Sequence, residues 1–431
     1  MSPAIVFCGD DFTGASDTLA TLTRAGQKAR LFLRPPSLSE IDGLDAVGIA
    51  TALRSMNRDD GARAMAQLAA PLAALKGRHY HLKVCSTFDS SPDIGNIAKA
   101  SDILAAAIDA KWTAIIGGQP SLGRYCIFGN LFANAADGNV HRIDRHPVTS
   151  VHPVAPMNEG DLRRHLARQG WTKIGLIDRT VYSQGIDALV LNLKTRIASG
   201  ETHTLFDASD DAELQVIGQA LDRISETTRV LSVGASSVAE ALAGTARAVA
   251  SHAPKFVGPI FVLAGSRSSL TAAQVENAEG FERISAPPNR LIGAEAASLA
   301  DECMAHLRSG ANVLLQISAE RQEGVDGQTM ATATAGLVKN VVSEAASGTL
   351  QIGFLAIAGG DTSSLAVQAL DIDSLSMIVD LEPGVPLIRA HSHDPGLDGL
   401  PLILKGGQMG SADLFTQLAR SGSIPPSLGD T

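Results

Sequence analysis

The chain has 431 residues, 45% hydrophobic and 19% charged, which suits a soluble globular protein of two or three domains with ample core material. A formal charge of −10 and 4% aromatic residues argue against a nucleic-acid or anionic-membrane partner, which would need basic surface or stacking rings. The scattered cysteines, Cys8, Cys85, Cys126 and Cys303, form no C-x-x-C pair and read as buried thiols rather than disulfides or zinc ligands.

The first residues lack a basic run before an apolar one. No segment reaches the roughly 18 apolar residues that a bilayer span requires, so a cytoplasmic protein is expected. Strand-length apolar runs are predicted at 4–8, 29–33, 46–50, 80–85, 113–117, 174–178, 203–206 and 230–233. Helical patterns lie between several of them, at 57–75, 97–110, 210–225 and 236–249. Segment 119–158, rich in Gly, Asn, His and Pro, reads as a lid or a small excursion from the sheet. Pro and Gly near 250–258 mark a linker.

A second alternation follows: strand 259–264, helices 268–279 and 294–309, strand 312–317, helix 330–347, strand 353–358 and helix 362–370. Strands near 376–381 and 400–404 and a helix at 411–420 complete it. Alternating βα units predict two α/β domains with mainly parallel sheets, 1–250 and 259–431, and a substrate and nucleotide cleft between them. Homo-oligomerisation is left open.

The first strand, Ile5-Val6-Phe7-Cys8, stops at Gly9-Asp10-Asp11, and Thr13-Gly14-Ala15-Ser16-Asp17 opens a helix. Carboxylates therefore cluster at the carboxyl end of a strand, where open α/β sheets bind ligands. A polar turn with a helix cap is the plainer reading of the same residues. The strand through Lys83 ends in Cys85-Ser86-Thr87-Phe88-Asp89, with Gly95-Asn96 at a following helix start. A lysine within a strand is costly to bury unpaired, so its expected partner is Asp10, Asp11 or an acidic substrate. Cys85 reads as packing rather than as a nucleophile.

The second half carries three strand–glycine–helix turns: Gly265-Ser266-Arg267-Ser268 with Thr271, Gly359-Gly360-Asp361-Thr362, and Gly406-Gly407-Gln408-Met409-Gly410. Glycine admits close backbone approach, and helix amino termini favour anions, so the set points to phosphate binding. Neither a Walker loop nor a G-x-G-x-x-G fingerprint is present. His391-Ser392-His393 with Asp394 looks like a loop and lacks further ligands at metal-site spacing.

These blocks, in this order, resemble the four-carbon acid sugar kinase family across nearly the whole chain: Gly9 to Asp17, Lys83 to Ser90 with Gly95-Asn96, Gly265 to Gln274, Gly359 to Ser363, Pro383-Gly384 and Leu404 to Gly410. Many members have arginine-glycine-asparagine after the Ser-Thr; Phe88-Asp89-Ser90-Ser91 stands here and is similar to the 3-oxo-tetronate kinase branch. The last block has Gly406 where a serine is common.

The resemblance implies ATP-dependent phosphorylation, with Mg²⁺, of the terminal hydroxyl of a short sugar acid. The expected substrates are 3-oxo-tetronate, D-erythronate, D-threonate or the branched 3-oxo-isoapionate. It places Asp10, Asp11, Lys83, Ser86 and Thr87 on the acid, and Ser266, Gly359, Gly360, Asp361, Thr362 and Gly407 on the nucleotide. Thr13, Gly14, Asp17, Asp89 and Arg145 join the candidate acid site, and Ser268 and Thr271 the nucleotide site. Asp11 or Asp10 is the expected base, with Asp17, read in the first helical turn, and Asp89 in reserve. Lys83 or Arg145 would hold the carboxylate, and Asp361 would reach Mg²⁺ through water. The same residues leave open a sugar-acid lyase or aldolase with Lys83 as Schiff base, or a non-catalytic binder of organic acids or nucleotides.

Overall fold

Ile5 to Gly9 is fully buried and apolar, so it can only be a strand covered on both sides. It opens the first of two compact units, Met1–Val249 and Ala250–Thr431. The computed structural model describes residues 2–135, 137–151, 155–244, 256–293, 295–318, 325, 327–348, 350–382 and 384–421. The side chains of residues 327, 328, 360–362, 364 and 421 also lie outside the description.

In the first unit the elements run β1 (Ile5–Gly9), α1 (Phe12–Arg24), β2 (Ala29–Phe32), β3 (Ala46–Ala50), α2 (Arg58–Ala74), β4 (His79–Lys83), α3 (Ile97–Ala107) and β5 (Trp112–Ile116). There follow β6 (Arg124–Ile127), β7 (Asn130–Asn134), β8 (Val140–Arg142), α4 (Leu162–Ala167), β9 (Gly175–Ile177), α5 (Arg179–Tyr182) and α6 (Ile186–Ala198). The unit closes with β10 (His203–Phe206), α7 (Asp211–Ser225), β11 (Val230–Gly234) and α8 (Ser237–Ala243).

Its main sheet is parallel, in the order β2-β3-β1-β4-β11-β5-β10-β9. Side chains alternate between two apolar layers, as the period of a strand demands. On β5, Ile115 packs with Met65 and Leu72 of α2 and Leu104 of α3. Its neighbours Ala114 and Ile116 join Leu189, Ile217 and Val238 from α6, α7 and α8. Segment 119–158 is more regular than its composition suggests: β6, β7 and β8 form a separate antiparallel sheet. Asp207, after β10, anchors it by accepting from the Phe128 and Gly129 backbone N–H groups at 2.6 and 2.9 Å.

The second unit contains β12 (Ile260–Ala264), α9 (Ser269–Glu276), β13 (Glu282–Ala286), α10 (Pro288–Leu291), α11 (Glu295–Arg308), β14 (Val313–Ile317) and α12 (Gly327–Ser347). Then come β15 (Phe354–Ala358), α13 (Gly360–Ala369), β16 (Ser374–Glu382), β17 (Val385–His391), β18 (Pro401–Lys405) and α14 (Leu414–Ser421). Its strand order is β13-β14-β12-β15-β18-β17-β16, with β17 antiparallel to both neighbours.

Sequence patterning missed the partly exposed strand β13 and read β17 as loop. Pro386 removes a backbone donor from β17, and it pairs with Asp380, where the register shifts. The predicted linker at 250–258 falls largely on residues outside the description, as does the end of the helix expected at 236–249.

In each unit the first strand is flanked on one side by later strands of one βα group and on the other by the next group. That is the topological switch point, where the carboxyl ends of open α/β sheets leave a crevice. β1 lies between β3 and β4, and β12 between β14 and β15. No helix among the described residues is long and apolar enough to cross a membrane.

Candidate functional site

The carboxyl ends of β3, β1 and β4 carry the first cluster. The sheet ladder runs on past the strands: Asp10 donates its N–H to Lys83 O at 2.9 Å, and Arg54 donates to Asp10 O at 3.0 Å. Asp10 is 6% exposed, and both carboxylate oxygens accept from one guanidinium, Arg54 Nε at 3.1 Å and Nη2 at 2.7 Å. Arg54 Nη1 lies 2.8 Å from Asp11 Oδ2, while Asp11 Oδ1 caps α1 by accepting from the Gly14 N–H at 2.8 Å. The two aspartates thus share one arginine (Arg54).

Burial pushes the Asp10 carboxyl above its ordinary value, and Asp11 adds to the rise, against the pull of Arg54 and Lys83. Burial opposes the charge on Arg54, but Asp10 and Asp11 hold its pKa well above the usual value.

Lys83 is 3% exposed and donates to Val84 O at 2.8 Å. Of the partners expected for Lys83, Asp10 and Asp11 are ion-paired with Arg54, which follows β3, 44 residues along the chain from Asp10, so the acidic substrate is the one still open. An ammonium has three donors, and this one shows a single protein acceptor among the described residues. Its position is set by Gly14: an alanine Cβ there would stand 2.5 Å from Asp11 Oδ1 and closer still to Lys83 Nζ.

Around this core, Thr13 Oγ1 and Asp89 Oδ1 are buried without a hydrogen-bond partner among the described residues. Cys85 Sγ contacts Thr87 Oγ1 at 2.9 Å and donates to Asp89 Oδ2 at 3.3 Å. Burial raises its pKa, so it stays a thiol. Phe88 turns the loop with φ 55°, burying its ring. Ser86 is half-buried beside it. Asp17 belongs to the second turn of α1, not the first, because the helix starts at Phe12. Its charge adds to the burial that raises Glu240 on α8. Arg145, expected as a holder of the substrate carboxylate, is exposed on a 3₁₀ turn after β8.

In the second unit the three glycine turns stand on the adjacent strands β12, β15 and β18. Gly265 donates to Ala358 O and Gly359 to Lys405 O, each at 3.0 Å, so the turns leave the sheet side by side. Gly359 precedes α13 with φ 130°, a conformation that favours glycine. The side chains of Gly360, Asp361 and Thr362 lie outside the described residues.

Ser268 and Thr271 face inward rather than toward open space. Ser268 Oγ donates to Gly407 O, as does Thr271 Oγ1 at 3.0 Å. Gln274 Nε2 donates to Met409 O and Ser411 O at 3.1 and 2.8 Å. These side chains fasten the 406–411 loop to α9. Ser266 is half-buried, and its Oγ packs so closely on Gly407 that any Cβ there would collide with it.

Lys405, which sequence reasoning left out of the site, is fully buried and donates to Thr271 Oγ1 at 3.3 Å and Gly406 O at 3.1 Å. Burial lowers its pKa to about 8, against the opposing pull of Glu382. His391 Nε2 bonds Ser376 Oγ at 2.7 Å and His393 Nδ1 bonds Asp373 at 2.5 Å. Among the described residues no three His, Cys, Asp or Glu side chains gather as a metal site.

Fold and loops define an α/β protein with polar ligand-type loops at the switch point of each unit. Residues 5–242 match the model of a sugar-binding N-terminal domain, and residues 261–415 that of a nucleotide-binding C-terminal domain. A 3-oxo-isoapionate kinase of Paraburkholderia graminis is 34% identical, aligned over 95% of this chain and 93% of its own length. A 3-oxo-tetronate kinase of Methylobacterium radiotolerans is 32% identical over 96% of this chain and 98% of its own. A crystal structure of a Haemophilus influenzae protein superposes with TM-score 0.71 at 25% identity, covering 96% of this chain and 99% of that one. The chain belongs to the four-carbon acid sugar kinase family. It is a phosphotransferase with an alcohol group as acceptor, a sugar-acid kinase.

Proposed function

We propose that the protein transfers the γ-phosphoryl of ATP to the terminal hydroxyl of a four-carbon-type 3-oxo sugar acid, either 3-oxo-tetronate or the branched 3-oxo-isoapionate. The first unit binds the acid and the second the nucleotide. Names of relatives at 34% and 32% identity favour a 3-oxo acid over D-erythronate and D-threonate.

The observation that carries the reading is Lys83: a buried ammonium with one backbone acceptor, beside a clamped pair of aspartates at a switch point. Its remaining donors suit the substrate carboxylate. The unpartnered Thr13 Oγ1 and Asp89 Oδ1 suit the hydroxyls along the acid's backbone. Asp10, Asp11, Gly14, Ser86 and Thr87 frame the same loops, and Asp17 and Arg145 are dropped from direct contact.

Asp11 is the proton acceptor. Asp10 has both oxygens held by Arg54 and little exposure, whereas Asp11 is the less buried of the two. The hydroxyl oxygen attacks the γ-phosphorus, the bond to the β–γ bridging oxygen breaks, the proton passes to Asp11, and ADP leaves.

On the nucleotide side, the amino end of α13 and the backbone of Gly359 and Gly407 offer N–H groups to phosphate. Ser266 adds a hydroxyl, and Ser268 and Thr271 hold the Gly407 loop in place. Mg²⁺ usually takes one or two carboxylates plus phosphates and waters. Asp361, the second residue of α13, is the residue proposed to reach it through water. When bound, the ion would neutralise phosphate charge.

The test is ADP release on adding Mg·ATP and a panel of 3-oxo-tetronate, 3-oxo-isoapionate, D-erythronate and D-threonate. ADP formation with a 3-oxo acid in preference to the others supports the proposal. ADP formation with D-erythronate or D-threonate in preference to both 3-oxo acids would overturn it.

A further inference from the structure

Arg54 carries no motif in the sequence, yet among the described residues its side chain is the one that ion-pairs with both aspartates. We propose that Arg54 is a positioning residue that divides the labour of the pair: it clamps Asp10 through both oxygens as a fixed strut and aims Asp11 as the proton acceptor. The inference rests on the assignment of Asp11 as base and adds what makes Asp11, rather than Asp10, fit for that role.

The geometry is built for it. The guanidinium engages Asp10 through Nε and Nη2, the two-pronged arrangement that fixes a carboxylate plane. The remaining nitrogen, Nη1, reaches Asp11 Oδ2 at 2.8 Å, leaving Asp11 Oδ1 on the cap of α1. Arg54 is itself held at its backbone, donating to Asp10 O at 3.0 Å from the 3₁₀ turn Leu53–Ser55.

That turn is braced from the far side by the segment before α3. Gly95 donates to Met56 O at 2.9 Å, and Arg58 donates to Asp93 O at 2.7 Å. Gly95 adopts φ 62°, and a Cβ there would lie 2.7 Å from Arg54 O. The Gly95-Asn96 pair, legible in the sequence as a helix start, thus also shapes the seat of Arg54.

Charge balance gives the arginine its effect. Asp10 and Asp11 face Arg54 from the end of β3 and Lys83 from β4, two negative groups against two positive ones. Two of the other titratable neighbours are thiols: burial pushes Cys8 up to about 12 and raises Cys85, so neither carries charge at working pH. Asp89 lies beyond Cys85, and Arg58 and Lys99 line the small cavity behind Asp10. Replacing Arg54 by a neutral residue leaves one uncompensated negative charge in a buried place. The aspartate pair then takes up a proton as a unit. A base that is already protonated accepts nothing from the hydroxyl.

The experiment is the pH dependence of kcat with Mg·ATP and the best acid of the panel, for wild type, Arg54→Met, Arg54→Lys and Asp11→Asn, with folding checked by circular dichroism. Arg54→Met is expected to move the acid limb up by about one pH unit or more, so that kcat falls roughly tenfold below the limb and recovers at high pH. Arg54→Lys keeps the charge without the fork. Its limb returns toward wild type while its plateau stays lower.

If Arg54→Met fails to fold, Asp10→Asn/Arg54→Met removes the buried charges together. Its limb should lie above that of Asp10→Asn alone, because Asp11 has lost its guanidinium. A limb at the wild-type position in a folded Arg54→Met, or a loss uniform at every pH, overturns the proposal. Retention of near wild-type kcat by Asp11→Asn overturns the base assignment instead, so the two failures are told apart.

Discussion

Gly14→Ala separates stability from activity at the proposed acid site. Gly14 is the third residue of α1, where alanine is the better helix former by about 1 kcal/mol. Its added Cβ, however, would stand 2.5 Å from Asp11 Oδ1 and closer still to Lys83 Nζ. Ordinary contact begins near 3.4 Å, so each group must retreat by about 1 Å. Lys83 Nζ is the end of a flexible chain and can yield at little cost to folding. It cannot yield without leaving the place where a carboxylate would meet it. Misplacing a positioning group by about 1 Å can cost on the order of 10²-fold in rate. Because Asp11 Oδ1 also caps α1, its retreat offsets the helix-propensity gain. The expected result is a melting temperature close to wild type, with kcat/KM for the sugar acid down about 10²-fold and KM for ATP nearly unchanged. Thermal melts followed by circular dichroism and a coupled ADP assay measure both. Wild-type kcat/KM in a well-folded Gly14→Ala would refute the placement of Lys83 and Asp11 at the acid.

Asp11→Asn should fold normally and lose about 10²- to 10⁴-fold in kcat, the usual contribution of a general base. Asp10→Ala, by stranding Arg54, should instead cost about 3 kcal/mol of stability in urea unfolding. The reverse pattern would exchange the roles of the two residues. Gln274→Ala removes two hydrogen bonds to the 406–411 loop. KM for ATP should rise about tenfold while KM for the acid stays put, because a loop loosened by about 1.4 kcal/mol lies on the nucleotide side. An equal rise in both would detach that loop from the nucleotide.

Lys405 has a folded-state pKa near 8, below the usual lysine value, so between about 8 and the unfolded value the unfolded chain binds more protons. Stability therefore gains from this group as pH rises through 8. Urea titrations at pH 7.5 and 9 should show that increment in wild type and not in Lys405→Met. An equal pH response in the two proteins would show that the Lys405 ammonium is not strained by burial.

Much of the architecture follows from local signals alone. An apolar run broken by Gly9-Asp10-Asp11 and followed by a capped amphipathic stretch can be little other than strand, turn and helix. The glycine turns after β12, β15 and β18 announce themselves in the same way, because close backbone approach demands particular residues at particular places.

What the chain order hides is which of these ends become neighbours. Strand pairing in the order β3-β1-β4 delivers Arg54 to Asp10, 44 residues away, and to its neighbour Asp11, and so leaves Lys83 the acidic substrate among its expected partners. Pairing of β12, β15 and β18 likewise turns the candidate residues Ser268 and Thr271 toward the Gly407 loop, which they fasten together with Gln274. Local chemistry determined which residues could serve a site. Long-range hydrogen bonding and charge pairing, which no window of sequence contains, decided which of them are already satisfied and which still have a bond to give.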